Sequence, residues 1–128
     1  MLMRSFHHLG LATQEIEAEK VFYLNLGYRV ERNFTDEVMK VKGCFLVHSD
    51  FPRLEILENY NGNVLDPWLN RGSPFYHIGI LCSKSEFEKL QVSGTRVFEH
   101  DFPVAFPGKK VSFVLYKGRR LIEYIYIN

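Results

Sequence analysis

The sequence predicts an α+β fold made of two tandem copies of one unit, each a strand, a helix and about three further strands. Two observations carry this. The first is internal repetition. Phe6-His7-His8-Leu9-Gly10-Leu11 resembles Phe75-Tyr76-His77-Ile78-Gly79-Ile80 at an offset of 69 (6 to 75). Gly27-Tyr28-Arg29-Val30 answers Gly94-Thr95-Arg96-Val97 at 67, while Phe45 answers Phe113 and Glu55 answers Glu123, both at 68. Self-similarity at one period is a fold-level signal. The second is composition: 11 Phe and 7 Tyr bring aromatics to 15%, which favours strands and pocket walls.

The elements follow in order. Phe6–Ala12 reads as the first strand. Thr13 is placed to cap a helix, with Glu15 and Glu17 in its first turn where the dipole favours acids. Val21, Phe22, Tyr23, Leu24 and Leu26 crowd its end, and Gly27 is placed to stop it. Strands are expected near Tyr28–Phe34, Cys44–His48 and Arg53–Leu57. Asn61-Gly62-Asn63 reads as a turn, and Val64–Asn70 as a short helix closed by Gly72. The second copy opens at Phe75–Leu81. Ser83 with Glu86, or Ser85 with Glu88, makes a capping box. Phe87 and Leu90 give that helix an inward face, and Gly94 ends it. Strands then fall near Thr95–Glu99, Lys110–Tyr116 and Leu121–Ile127. The whole of 1–128 reads as one domain, with modules at 5–60 and 74–128.

Bulk properties exclude several classes. Apolar residues make up 46% and charged residues 24%, as in globular proteins. A net charge of +1, with no basic stripe, gives no footprint for nucleic acid. No apolar run approaches a membrane span, and Met1-Leu2-Met3-Arg4 is too short and mixed for a signal peptide. Cys44 and Cys82 have no spacing that suggests a disulfide framework. The expectation is a cytoplasmic protein with reduced thiols.

Strand alternation singles out four side chains. Leu9 and Leu11, like Ile78 and Ile80, are natural packing for the helices. His8 and His77 therefore fall on the opposite face, beside Gly10 and Gly79. Leu54 and Ile56 pack one way and leave Glu55 on the other. Glu123 parts from Ile122, Tyr124 and Tyr126 in the same manner. It sits in an apolar strand, where an unpaired charge costs several kcal/mol, on the order of the penalty for a buried ion. A metal ion is a good partner for such a residue. If a pseudo-two-fold axis relates the halves, two imidazoles and two carboxylates converge as a mixed N/O site. Zinc, nickel, cobalt, manganese or iron(II) would suit it. Six-coordinate geometry would then leave two positions for water or substrate. The plain alternatives are a pair between Glu55 and Arg53, and a bridge from Glu123 to Arg119 or Arg120. His7, His48 and His100 have no matched copy and read as ordinary histidines. Glu58, three residues from Glu55, should face the other way. Phe102–Lys110 reads as a loop.

These residues and spacings resemble the vicinal oxygen chelate superfamily (glyoxalase, bleomycin resistance, extradiol dioxygenase) from about Phe6 to Ile125. His8 in His-Leu-Gly-Leu-Ala, Glu55 in Leu-Glu-Ile-Leu, His77 in Tyr-His-Ile-Gly-Ile and Glu123 in Leu-Ile-Glu-Tyr fall on its four ligand positions. The resemblance implies two βαβββ modules in tandem, forming a curved eight-stranded β cup with helices outside. Trp68-Leu69-Asn70-Arg71-Gly72 and Gly108-Lys109-Lys110-Val111-Ser112-Phe113 are similar to the methylmalonyl-CoA epimerase branch. The four-ligand pattern is shared with lactoylglutathione lyase, whose usual turn before the last ligand is replaced here by Tyr116-Lys117-Gly118-Arg119. Glu55 stands where the epimerases typically carry Gln.

The resemblance implies a metal-dependent lyase or isomerase that moves a proton next to a metal-chelated carbonyl, through an enediolate or enolate. Glu55 and Glu123 are the candidate bases. A thioester, hemithioacetal or related oxygen-chelating compound is the expected substrate, and a homodimer the expected assembly. The alternatives are a metal-free binding protein of the bleomycin-resistance kind and an iron(II) ring-cleaving dioxygenase relative.

Overall fold

The structure is a computed structural model in which residues 4–127 are described. It has the α+β class and the tandem βαβββ order that the repeat foretells. Eight strands run in the hydrogen-bonded order β2-β3-β4-β1-β5-β8-β7-β6. Their bounds are β1 Arg4–Ala12, β2 Arg29–Asp36, β3 Val41–Val47, β4 Leu54–Asn59, β5 Phe75–Ser83, β6 Thr95–Asp101, β7 Lys110–Tyr116 and β8 Arg120–Ile127. Helix α1 spans Ile16–Leu24, α2 Asp66–Leu69 and α3 Lys84–Leu90. The chain divides into two compact units. One is residues 8–76; the other is residues from His77 onward with those up to His7, so β1 contributes to both.

In the unit of residues 8–76, β1 pairs parallel with β4, and β2, β3 and β4 pair antiparallel. The mixed pairing follows from connection length: a helix-bearing crossover joins parallel strands, and tight turns join antiparallel ones. Leu11, Ile16, Tyr28, Cys44, Leu46, Leu54 and Ile56 form the core, with Leu9 and Tyr23 packed on it. These are the side chains that alternation assigned to the helix layer. Each fully buried aliphatic contributes about 1.5–3 kcal/mol.

In the other unit, β5 pairs parallel with β8, and β6, β7 and β8 pair antiparallel. Phe87, Val114, Tyr124 and Tyr126 make its core, with Ile80, Cys82, Leu90, Tyr116 and Ile122 against it. Phe87 stacks on Tyr126 at 4.5 Å between ring centroids. The Tyr116 hydroxyl donates to the Leu90 carbonyl at 2.6 Å and also meets the Tyr124 hydroxyl. Burial first, and then the bond to Tyr116, hold the Tyr124 phenol well above its ordinary range.

The ends of the elements differ from the sequence reading in instructive ways. Thr13 does not cap α1. Its hydroxyl accepts from the Glu15 amide at 3.1 Å, forming a local turn, and the helix begins one residue after Glu15. The Ile16 amide donates instead to the Glu58 carboxylate at 2.8 Å. A long-range acid from β4 thus takes the place of a local hydroxyl. Ser83 caps α3 as expected, accepting from the Glu86 amide at 3.1 Å. Gly27 ends the α1 turn with φ +99°. Gly94 follows a 3-10 turn over Gln91–Ser93 in extended backbone, φ −120°. What Gly94 supplies is room: a Cβ there would lie 2.4 Å from Val114 Cγ1.

Two β-bulges occur at matching places. In β2 the register to β3 shifts between Val30 and Arg32; in β6 the register to β7 shifts between Arg96 and Phe98. Arg32 thereby stands opposite Phe45, and Phe98 opposite Phe113.

Candidate metal centre

Each unit brings one histidine and one glutamate together. In the unit of residues 8–76, β1 and β4 run parallel with Gly10 opposite Glu55. His8, two residues before Gly10, shares its face. Its Nε2 lies 3.3 Å from a Glu55 carboxylate oxygen. In the other unit Gly79 stands opposite Glu123, and His77 Nε2 lies 3.0 Å from a Glu123 oxygen. In both pairs the carboxylate faces a position that has no side chain. Arg53, the alternative partner considered for Glu55, bridges Glu31 at 3.1 Å.

Burial is nearly complete. His8 and His77 are 0% exposed, Glu55 3% and Glu123 5%. Each offers one donor atom of the kind that holds a metal. Bonds of about 2.0–2.1 Å place neighbouring donors of a six-coordinate ion about 3.0 Å apart, and those of a four-coordinate ion about 3.4 Å apart. Both His–Glu separations fall in that span. The donor chemistry also fits: imidazole nitrogen and carboxylate oxygen suit zinc, nickel, cobalt, manganese and iron(II).

The imidazoles are held from the side. Phe45 on β3 stands opposite Glu55 and meets the His8 ring edge-on, with centroids 5.6 Å apart. Phe113 on β7 stands opposite Glu123 and meets His77 in the same manner at 5.2 Å. Both phenylalanines are buried. In the sequence they stand only as repeat partners, with no role attached. The signal was present, because a repeat that conserves His, Glu and Phe at one period points to a three-residue unit.

The remaining histidines lie elsewhere. His7 packs against Phe106 at 5.2 Å. His48 engages the Leu26 carbonyl through Nε2 and accepts from the Asp50 amide through Nδ1. Only His100 differs in placement. Register puts it opposite Val111, two residues past Phe98, on the face that carries Glu123. A bulge decides that face, and no local sequence pattern discloses the bulge. Glu58 faces the helix layer, as its spacing from Glu55 requires.

The model of the glyoxalase/bleomycin resistance protein/dioxygenase superfamily matches residues 7–113, and the chain belongs to that superfamily. Solved structures of the same fold include methylmalonyl-CoA epimerases. That of Mycobacterium tuberculosis is 16% identical with a TM-score of 0.79, over 96% of this chain and 87% of its own. A variant epimerase of Streptomyces coelicolor, in complex with 2-nitronate-propionyl-CoA, is 20% identical with a TM-score of 0.77, over 99% of both chains. A hypothetical protein of Bacillus halodurans C-125 is 20% identical with a TM-score of 0.78, over 98% of this chain and 95% of its own. No curated protein matches the sequence. Among the described residues no helix is long and apolar enough to cross a membrane.

Proposed function

We propose that the His8–Glu55 and His77–Glu123 pairs together hold one divalent metal ion, and that the protein is a lyase or isomerase moving a proton at the carbon next to a carbonyl. One observation carries this reading: a buried histidine within 3.3 Å or less of a buried glutamate, repeated at the same register in each unit. Two such pairs are costly to bury for structure alone. A hydrophobic replacement of a buried ion pair is often neutral or stabilising.

A divalent ion held there would supply Lewis-acid stabilisation of negative charge on a carbonyl oxygen. The protein supplies the rest. His8 and His77 are fixed by Phe45 and Phe113, so their Nε2 atoms arrive oriented. Glu55 or Glu123 takes the proton from the neighbouring carbon; the other glutamate returns one to the opposite face, or the same glutamate delivers it to another atom. The dry surroundings of both carboxylates keep bulk water from quenching the carbanion.

Epimerases of this fold, including one in complex with methylmalonyl-CoA, support thioesters as the first substrates to try. The test is elemental analysis of protein purified without chelator, followed by solvent deuterium exchange on thioesters and hemithioacetals. Near-stoichiometric metal and exchange that is lost in Glu123→Gln are expected. A metal-free protein that catalyses exchange at full rate would overturn the metal role. A metal-loaded protein that exchanges no proton on any of these compounds would overturn the reaction.

A further inference from the structure

We infer that the apolar end of α1 is a self-association surface, on which a second copy of this chain packs about a two-fold axis. The surface lies on the helix-covered side of the unit of residues 8–76, on the side opposite Glu55. It does not depend on the reaction proposed above.

Helix α1 carries its charges, Glu17, Glu19 and Lys20, in its first half. Its last four residues, Val21-Phe22-Tyr23-Leu24, are apolar on every side. A helix that is apolar all round is normally covered all round. The unit itself covers one side only. Tyr23 packs on the core, while Val21, Phe22 and Leu24 are 57%, 60% and 41% exposed. At 3.6 residues per turn these three span an arc of roughly 160° on the side away from Tyr23.

The apolar surface continues past the helix. Leu26 and Phe51 are each 51% exposed. A row of rings joins them to Phe22: Phe22 meets Tyr23 at 5.0 Å between centroids, Tyr23 meets Tyr28 at 5.8 Å, Tyr28 meets His48 at 5.1 Å and His48 meets Phe51 at 4.3 Å. His48 Nε2 also engages the Leu26 carbonyl at 3.2 Å. Rings already held by one another lose little freedom when a partner covers them.

The area is that of a small, reversible dimer. Taking about 150–250 Å² for a whole aromatic side chain and about 60–120 Å² for an aliphatic one, the five exposed residues offer roughly 250–450 Å². The smallest stable interfaces bury about 600 Å² on each partner, of which about 340–390 Å² is apolar. Contiguous apolar patches of this size on a soluble chain are often functional.

Charge selects the occupant. A two-fold contact sets residues near its axis against their own copies, where a like charge would repel. None of the five residues is charged. A net charge of +1 also leaves little long-range repulsion between copies. On the same helix Glu17 and Glu19 oppose an anionic lipid surface, and the one cation, Lys20, is paired with Glu17 at 3.3 Å.

The test is sedimentation velocity on the full-length protein at increasing concentration. A monomer–dimer equilibrium with a Kd of about 1–100 μM is expected, as for interfaces at the small end. Phe22→Lys should raise Kd at least about 100-fold, because a two-fold contact loses the ring twice and gains two like charges. Leu26→Lys should act in the same direction, so the outcome does not hang on one variant. Both side chains are largely exposed, so each variant should melt within about 3 °C of the wild-type monomer. Val92→Glu, at a residue 76% exposed in the other unit, should leave Kd within about threefold. A wild type that stays monomeric up to about 300 μM, several times the weakest Kd expected, would overturn the inference. So would a dimer that both lysine variants leave intact. Monomeric wild type that binds phosphatidylcholine vesicles, with the binding lost in Phe22→Lys, would give the surface to lipid instead.

Discussion

If the two His–Glu pairs serve one ion, removing either carboxylate should abolish the whole of the metal's stabilising effect. The magnitude can be worked through. An ion that binds only the folded state adds about 2.7 kcal/mol at one hundred times its Kd. For 128 residues the unfolding entropy near Tm is about 0.27 kcal/mol/K, so the ion should raise Tm by about 10 °C. Glu55→Gln and Glu123→Gln keep the side-chain shape while deleting the charge. Their metal-free forms should melt within a few degrees of metal-free wild type, or slightly above it, because a buried carboxylate is replaced by a neutral amide. The assay is a melting curve for wild type, each single variant and the double variant, with chelator and with added zinc, nickel or cobalt. The expected pattern is a rise of about 10 °C for wild type and little or none for all three variants. If each single variant keeps about half the rise and the double loses it, the pairs bind separate ions and the shared centre is refuted.

Phe45→Ala should destabilise by about 3–5 kcal/mol, since the ring is 2% exposed, and denaturant unfolding will read the cost. Gly43→Ala should cost about 1–3 kcal/mol because Phe34 must leave its place over the sheet; a smaller loss would mean the ring swings away freely. Glu58→Ala should cost about 1–2 kcal/mol through the N-terminus of α1, with Glu58→Gln milder because an acceptor for the Ile16 amide survives. At alkaline pH the sign is fixed by the thiol of Cys82, which burial pushes up to about 11 from an ordinary value near 9. The folded chain then holds a proton that the unfolded chain releases, so stability should fall as pH rises from about 9 to 11. Replacing Cys82 with Ser should flatten that limb of the pH–stability curve.

Much of this was legible in the chain, for physical reasons that differ by element. The four His and Glu side chains are buried in strands, where side chains alternate strictly between the two faces. Leu9, Leu11, Leu54 and Ile56 therefore betrayed the direction of His8 and Glu55 through their own need for the helix layer. The strands read from apolar runs came out short at polar ends. β2 continues through Thr35 and Asp36, because Asp36 accepts from the Val38 and Met39 amides in the turn that follows. What local pattern could not show was long-range. Thr13 looked like a cap, yet the acceptor for α1 arrives from Glu58, 42 residues away. Nor could it show the bulges, which change the facing residue from Glu31 to Arg32 and bring His100 onto the face that carries Glu123.

Strand β4 serves two layers at once. It turns Leu54 and Ile56 into the core, Glu55 to the opposite side and Glu58 back to the first turn of α1. A slip of one residue would bury charge, expose aliphatics and strip the helix of its anchor together. If the proposed metal centre holds, the register that seats Glu55 is set by the apolar pattern of the strand and not by the ion.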